Sequence, residues 1–341
     1  MPLPTIGNDE KDKVMNKLLS DKEHCETPKV NNGRVKRSHL LMLVATGLVA
    51  TSFPVGAEIT KGLDSLVLTF LRFLLAAVLF APVIAWRYGI AIPKARDLLR
   101  YGILSACLVG FFWAMFAALR LTSALNTAAI FSLTPVITVA VSAVLLKEKW
   151  NKTMQIALPI GVIGAIWVIF RGDLEALLSL NLGLGDGIFL MGTIALGFYS
   201  PLVKYLHRGE PMAQMTFWTL ATGTLWLLIL SAPRLSEVVW STIPSSVYGG
   251  IAYLAVFTTL VTFFLFQWSS TVIGPTKVMS YTYLNPGLVL VIGVLLGQEA
   301  PPPTIYPGLL LTLMATIALQ VSKPVADSTT TGLCRGLPSR S

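Results

Sequence analysis

Arg72 is the only basic residue well inside one of the long apolar runs of this 341-residue chain. A guanidinium at membrane depth costs about 3 kcal/mol or more unless it is paired. Glu58, near the end of the preceding run, is its nearest candidate partner, which makes the two a candidate gate or structural ion pair. The alternative is that Arg72 contacts a ligand directly. Lys277, Tyr281 and Asn285 form a second set. They recur at i, i+4 and i+8, the spacing of one helical face. Moving back 151 residues gives Asn126, Ile130 and Thr134, and that stripe continues to Thr138 and Ser142. Polar faces inside apolar runs must point at protein or water. Two stripes facing each other would line a cavity for a small molecule; otherwise they serve interhelical hydrogen bonds. Lys277 lies near the start of its run, where it can meet a carboxylate or phosphate or extend to the interface.

Aromatic residues add a third set. Tyr253, Phe257, Phe264 and Trp268 share one face, and Phe112, Trp113 and Phe116 cluster. Such walls suit amphipathic ligands, and equally suit packing or lipid contact. Trp113 and Tyr253 are the better wall candidates because their polar tips want partners. Other chemistry finds little support. Three cysteines and three histidines are scattered, with no spacing for a disulfide framework, a metal or a cofactor. Gly183-Leu184-Gly185-Asp186 spells the GxGD string of intramembrane aspartyl proteases, but no second aspartate lies within a run to complete a dyad. HExxH and GxSxG are absent. The reading is not an enzyme.

These residues must be positioned by membrane helices. The chain is 54% hydrophobic and 13% charged, with mean hydropathy +0.70. A soluble domain could not hide that surface, and the charges cluster between apolar runs. Ten spans follow: 39–60, 65–86, 101–119, 124–146, 153–170, 185–205, 212–232, 245–268, 275–297 and 303–322. The polar tails, 1–38 and 323–341, are read as disordered and cytoplasmic. With the N-terminus inside, fifteen Lys and Arg fall on the internal side and four on the external side, so both termini are placed in the cytoplasm. The net charge of +9 therefore sets topology, and nucleic acid is not expected as a partner.

The chain also repeats itself. Pro135 precedes Glu148 by 13 residues, and Pro286 precedes Glu299 by 13. The same offset of 151 pairs Phe112 with Phe263 and Pro82 with Pro233. Five spans per unit is odd, so the second unit enters the membrane inverted. Lys147-Glu148-Lys149 and its counterpart Gln298-Glu299-Ala300 differ in charge as loops on opposite sides should. The expected fold is all-α integral membrane, with ten transmembrane helices as two inverted five-helix repeats at 39–171 and 185–322. Repeats of this kind build a midplane site from helices interrupted by Pro or Gly. Pro54, Pro135, Pro201 and Pro286 lie within spans and are the candidate kinks. Gly293 with Gly297, and Ala157 with Gly161, are small-xxx-small pairs read as packing or homodimer faces.

In these features the chain resembles the drug/metabolite transporter superfamily, in its ten-helix EamA-type branch. The resemblance rests on Pro54 through Arg72, on Leu133-Thr134-Pro135-Val136 with Leu145-Leu146-Lys147-Glu148-Lys149, and on Gly161 and Gly164. In the second half it rests on Leu184-Gly185-Asp186-Gly187 and on Leu284-Asn285-Pro286 with Leu295-Leu296-Gly297-Gln298-Glu299. It covers about 39–322. It implies two inverted halves that rock about a central cavity, and places an arginine at position 72. It implies a secondary transporter in the cell (plasma or inner) membrane, exporting amino acids or related amphipathic metabolites or drugs. The alternative is an exchanger of phosphorylated metabolites or nucleotide sugars, which needs more cations than Lys277 and Arg72. The expected partners are a small-molecule substrate and the lipid bilayer. Candidate substrate-binding residues are Trp113, Asn126, Thr134, Tyr253, Lys277, Tyr281 and Asn285. Proton coupling, facilitated flux and exchange all remain open, since Glu58 is the only acid within a span.

Overall fold

In hydrocarbon a chain must satisfy its own backbone polar groups, which makes helix the expected state of each long apolar run. The computed structural model describes residues 32–322, except 90–91, 149–150, 171, 174, 176–182 and 298–301, and holds no strand among them. The tails outside these bounds, Lys149, Arg171 and the Gln298-to-Pro301 stretch that contains Glu299 lie outside the described residues.

The helices are α1 (Asn32–Ile59), α2 (Ser65–Tyr88), α3 (Ala95–Leu119), α4 (Ala124–Phe131), α5 (Thr134–Leu145), α6 (Lys152–Ile169), α7 (Leu184–Leu206), α8 (Met212–Leu235), α9 (Ser245–Ala255), α10 (Thr262–Val272), α11 (Pro275–Ser280), α12 (Asn285–Leu295) and α13 (Tyr306–Val321). A π-turn, Val256–Val261, joins α9 to α10, and a 3-10 turn, Tyr281–Leu284, joins α11 to α12. Eight helical stretches are long and apolar enough to cross a membrane. Two shorter apolar ones, Thr134–Leu145 and Lys152–Val168, stand among them. The chain is a multi-pass membrane protein. One expectation changes: residues 32–38 are helical, not part of a disordered tail, because Arg34, Lys36 and Arg37 extend α1 as exposed helix formers.

Local chemistry sets several ends. Asp64 caps α2 by accepting from the Leu66 amide (2.9 Å), and Asn151 caps α6 by accepting from that of Met154 (2.7 Å). The GxGD string has the same kind of role. Asp186 is buried in the first turn of α7, where it accepts from the Gly183 amide (3.0 Å) and the Thr122 hydroxyl (2.8 Å). Its carboxylate closes a helix end.

The packing follows a twofold axis between the halves. Spans that hold the same place in each half meet: α2 packs on α8, α6 on α13, and α5, the second part of span four, on α11, the first part of span nine. The contact of α3 with α7 is mirrored by that of α10 with α1. One buried cluster joins α1, α2, α3 and α7 to α10; a smaller one lies under α6, α13 and Tyr283.

Spans four and nine are both broken, at equivalent places. Pro135 and Pro286 each sit in the first turn of the helix after the break, at α5 and α12. A proline gives no amide hydrogen to the carbonyl four residues back. Those carbonyls belong to Phe131 and Thr282. The Thr134 hydroxyl donates to the first (2.5 Å) and the Asn285 amide to the second (3.1 Å). Each half thus repairs its break with the side chain just before its proline. Pro54 and Pro201 lie inside continuous α1 and α7. Asn285→Ala is expected to lower stability by about 0.5–1.5 kcal/mol, the net worth of one hydrogen bond, because the Thr282 carbonyl still accepts from the backbone amide of residue 285. Asn285→Thr, which copies the other half, should keep most of it. Thermal melts of both in one detergent check this; equal losses would argue against the repair.

Candidate functional site

The breaks rearrange the predicted stripes. A 3-10 turn advances about 120° per residue against 100° in an α-helix, so four residues rotate the chain roughly 80° off its α register. Lys277, Tyr281 and Asn285 therefore go three ways. The Lys277 ammonium donates to the Gln320 carbonyl on α13 (2.7 Å). Tyr281 shares a hydrogen bond with His39 Nδ1 on α1 (2.8 Å). Asn285 turns back on its own chain, and its Oδ1 has no partner among the described residues. On the other stripe, Asn126 bonds Thr122 at the start of α4, and Thr138 donates to the Gly197 carbonyl. The two stripes do not face each other across one cavity in this conformation.

A cavity of about 40 Å³ does lie between the halves. Its walls include Ser52 and Phe53 of α1, Phe111 and Phe112 of α3, Tyr199 of α7, Thr258 of the π-turn, and Thr262, Phe263 and Phe266 of α10. It has room for a few waters, far below the roughly 300 Å³ or more of a small-molecule pocket. Phe112 and Phe263, the pair linked by the 151-residue offset, stack here with centroids 5.5 Å apart and planes at 28°. None of the seven candidate substrate-binding residues is in this lining.

Arg72 stands directly behind this wall. It is fully buried, at 0% exposure. Its Nη2 donates to the Thr258 carbonyl (2.7 Å) and hydroxyl (2.8 Å), and its Nε donates to the Thr259 hydroxyl. The Phe112 ring lies against its guanidinium carbon, 4.1 Å from centroid, with Phe116 at 5.7 Å. Nη1 has no partner among the described residues. The expected pair with Glu58 is not made. Glu58 has a side chain 73% exposed and bonds Lys61 at the surface (2.7 Å), while Arg72 points into the bundle, where two threonines meet it. The π-turn makes this possible. Its extra residue turns Thr258 and Thr259 together toward α2, as such turns often do at functional sites.

The aromatic sets also divide. Trp113 is 40% exposed on the outside of the bundle, while Phe112 and Phe116 turn inward. Tyr253 bonds Thr51 through its hydroxyl (2.7 Å) and packs on Phe257. Past the π-turn, Phe264 and Trp268 line an outer groove of about 580 Å³ beside α2 and α8, and Phe263 and Phe266 take the inner wall. Gln267, unremarked among these aromatics, is fully buried. It donates to the Tyr199 hydroxyl (2.9 Å) and accepts from Thr216. Its signal in sequence was an amide in an otherwise apolar run.

Two ends flank the cavity. At one, Arg100 bridges Asp97 (2.6 Å) and Glu210 (3.4 Å) and donates to the Leu206 carbonyl, while Lys204 meets Glu148 (3.3 Å). At the other, Asp64 gathers Arg234 (2.5 Å) and Arg120 (3.9 Å). Ion pairs thus join the two halves at both ends of the bundle.

The fold is that of a polytopic membrane protein with a cavity between its halves. The EamA-like transporter family model matches residues 36–170 and again 183–320, and the chain belongs to that family. It is 28% identical over 229 residues to an uncharacterized transporter of Bacillus subtilis (strain 168), YyaM, spanning 66% of this chain and 75% of that one. It is 26% identical over 258 residues to an uncharacterized transporter of Archaeoglobus fulgidus, spanning 73% and 86%. A solved structure described only as "Crystal structure of protein" superposes with a TM-score of 0.67 at 18% identity, over 84% of this chain and 98% of that one; the likeness is one of fold.

Proposed function

We propose that this transporter exports small amphipathic metabolites, amino acids or compounds related to them, by alternating access through the cavity between its halves. The observation that carries the reading is an aromatic-walled cavity built from both halves. Cargo enters when the halves part at one end and leaves when they part at the other. In the orientation that places Lys and Arg in the cytoplasm, His39, Lys277 and Tyr281 lie toward the cytoplasmic end. There the His39–Tyr281 bond opens as cargo enters, and the polar stripe lines the path instead of the central site. Few cations lie near the cavity, which speaks against doubly charged phosphate esters.

Metabolite profiling tests the reading. Cells carrying the wild type, Ser52→Phe or no transporter are compared for small molecules inside and in the medium. Ser52 lines the cavity, and a phenyl ring there fills it. The expected result is at least one compound depleted inside and enriched outside with the wild type alone. No difference, with both proteins present in the membrane, counts against export.

A further inference from the structure

Among the described residues, Arg72 is a buried cation without an acid partner. Its partners are two threonine hydroxyls and a carbonyl, all neutral. Such groups solvate a guanidinium but do not neutralise it, and an uncompensated buried charge is costly. The only buried carboxylate among the described residues is Asp186, which closes the start of α7. Three of the five guanidinium N–H groups are used, and the two on Nη1 are not. Phe112 lies against this group and also lines the cavity. Thr258 touches both the guanidinium and the cavity.

The cavity lining contains no acidic side chain. Its polar groups are hydroxyls of Ser52, Tyr199, Thr258 and Thr262, and the rest is aromatic or aliphatic. An ammonium group brought here would find no countercharge, and an organic cation would face Arg72 as well. A carboxylate would supply what Arg72 lacks, through charge-assisted hydrogen bonds to Nη1. The second half offers no rival anchor, because the 151-residue shift takes Arg72 to Gly223.

From this arrangement we infer that the cargo is a monocarboxylate with a flat apolar or aromatic body and no ammonium group. Its carboxylate binds Arg72 Nη1 once Phe112 swings aside, and its body lies between Phe111 and Phe263. The inference rests on the proposed transport through this cavity and narrows its substrate class to carboxylates related to amino acids, leaving out the amino acids themselves.

Four phenyl probes of similar size separate the charge types: phenylpyruvate (anion), phenylalanine (zwitterion), phenylacetamide (neutral) and phenethylamine (cation). Binding of each to the purified full chain at pH 7.5 is measured by calorimetry, and phenylpyruvate exchange by counterflow in proteoliposomes. The expected ranking puts phenylpyruvate at least tenfold tighter than phenylalanine, with phenethylamine weakest. Arg72→Gln is expected to lose at least tenfold for phenylpyruvate while phenylacetamide changes less than threefold, a charge-specific loss that a general loosening of structure would not give. The wild-type ranking stands even if that variant fails to fold. Phenylalanine or phenethylamine binding as tightly as phenylpyruvate, or no binding of phenylpyruvate, overturns the inference. So does a folded Arg72→Gln that keeps phenylpyruvate affinity within twofold. An exported compound of another charge in the profiling experiment overturns the carboxylate class and leaves transport standing. A blank profile beside tight phenylpyruvate binding leaves the site standing and removes export.

Discussion

Converting Thr258 and Thr259 together to valine is expected to cost about 3–5 kcal/mol of stability and to abolish transport. The change keeps shape and removes only hydroxyls. What remains is a fully buried guanidinium with a single carbonyl partner. Stripping the partners of a buried charge costs on that scale, because the charge is left in a medium that cannot solvate it. Thermal denaturation in detergent measures the loss. Thr224→Val is the control, since its hydroxyl serves only the Leu220 carbonyl of its own helix. Adding Arg72→Leu to the pair should recover much of the loss, as removing the charge removes the reason for its shell. A double variant within about 0.5 kcal/mol of wild type would sink this account of Arg72.

The second large effect lies at the crossing of α6 and α13. A Cβ placed on Gly164 would stand 2.8 Å from the Gly308 carbonyl oxygen, 2.9 Å from the Thr312 nitrogen and 2.7 Å from Leu311 Cβ. One on Gly308 would stand 2.8 Å from the Gly164 carbonyl oxygen. These neighbours are largely backbone, so no rotamer change relieves the clash; the helices must separate. Gly164→Ala is expected to cost about 1–3 kcal/mol, and Gly164→Val more, by overpacking. Gly47→Ala is the contrast, with nothing within 4 Å of its Cβ, and should be neutral or gain about 0.5–1 kcal/mol from helix propensity. Melting temperatures of the three variants decide it. A Gly164→Val protein as stable as wild type would mean the two helices do not cross this closely.

How far the sequence could be read depends on the kind of signal. The spans were legible because hydrocarbon thickness fixes their length and composition. The offset of 151 was legible too, but that Phe112 and Phe263, which it aligns, stack on each other is visible only in the structure. The polar stripes were lost because counting by four assumes an unbroken α-helix, and Pro135 and Pro286 mark breaks, not bends. Thr134 and Asn285 then have work within their own chain. The partner of Arg72 was sought in the adjoining span, where Glu58 lies. Its real partners are 186 and 187 residues away, on a π-turn made by one extra residue that no periodicity announces. The GxGD string shows the opposite case, a motif whose chemistry vanishes once Asp186 is seen closing a helix.

The stacked rings of Phe112 and Phe263 occupy matching positions in the two halves and touch each other. A contact of that type lies on the axis, where two separate identical chains would place one residue against its own copy. In such a pair every feature beside the axis must occur twice, and a cation there would face its twin. Joining the halves in one chain lifts that constraint. It permits an arginine at 72 and a glycine at 223. A lone charge next to a symmetric chamber gives the cargo a head and a tail, which a dimer of equal halves could never do.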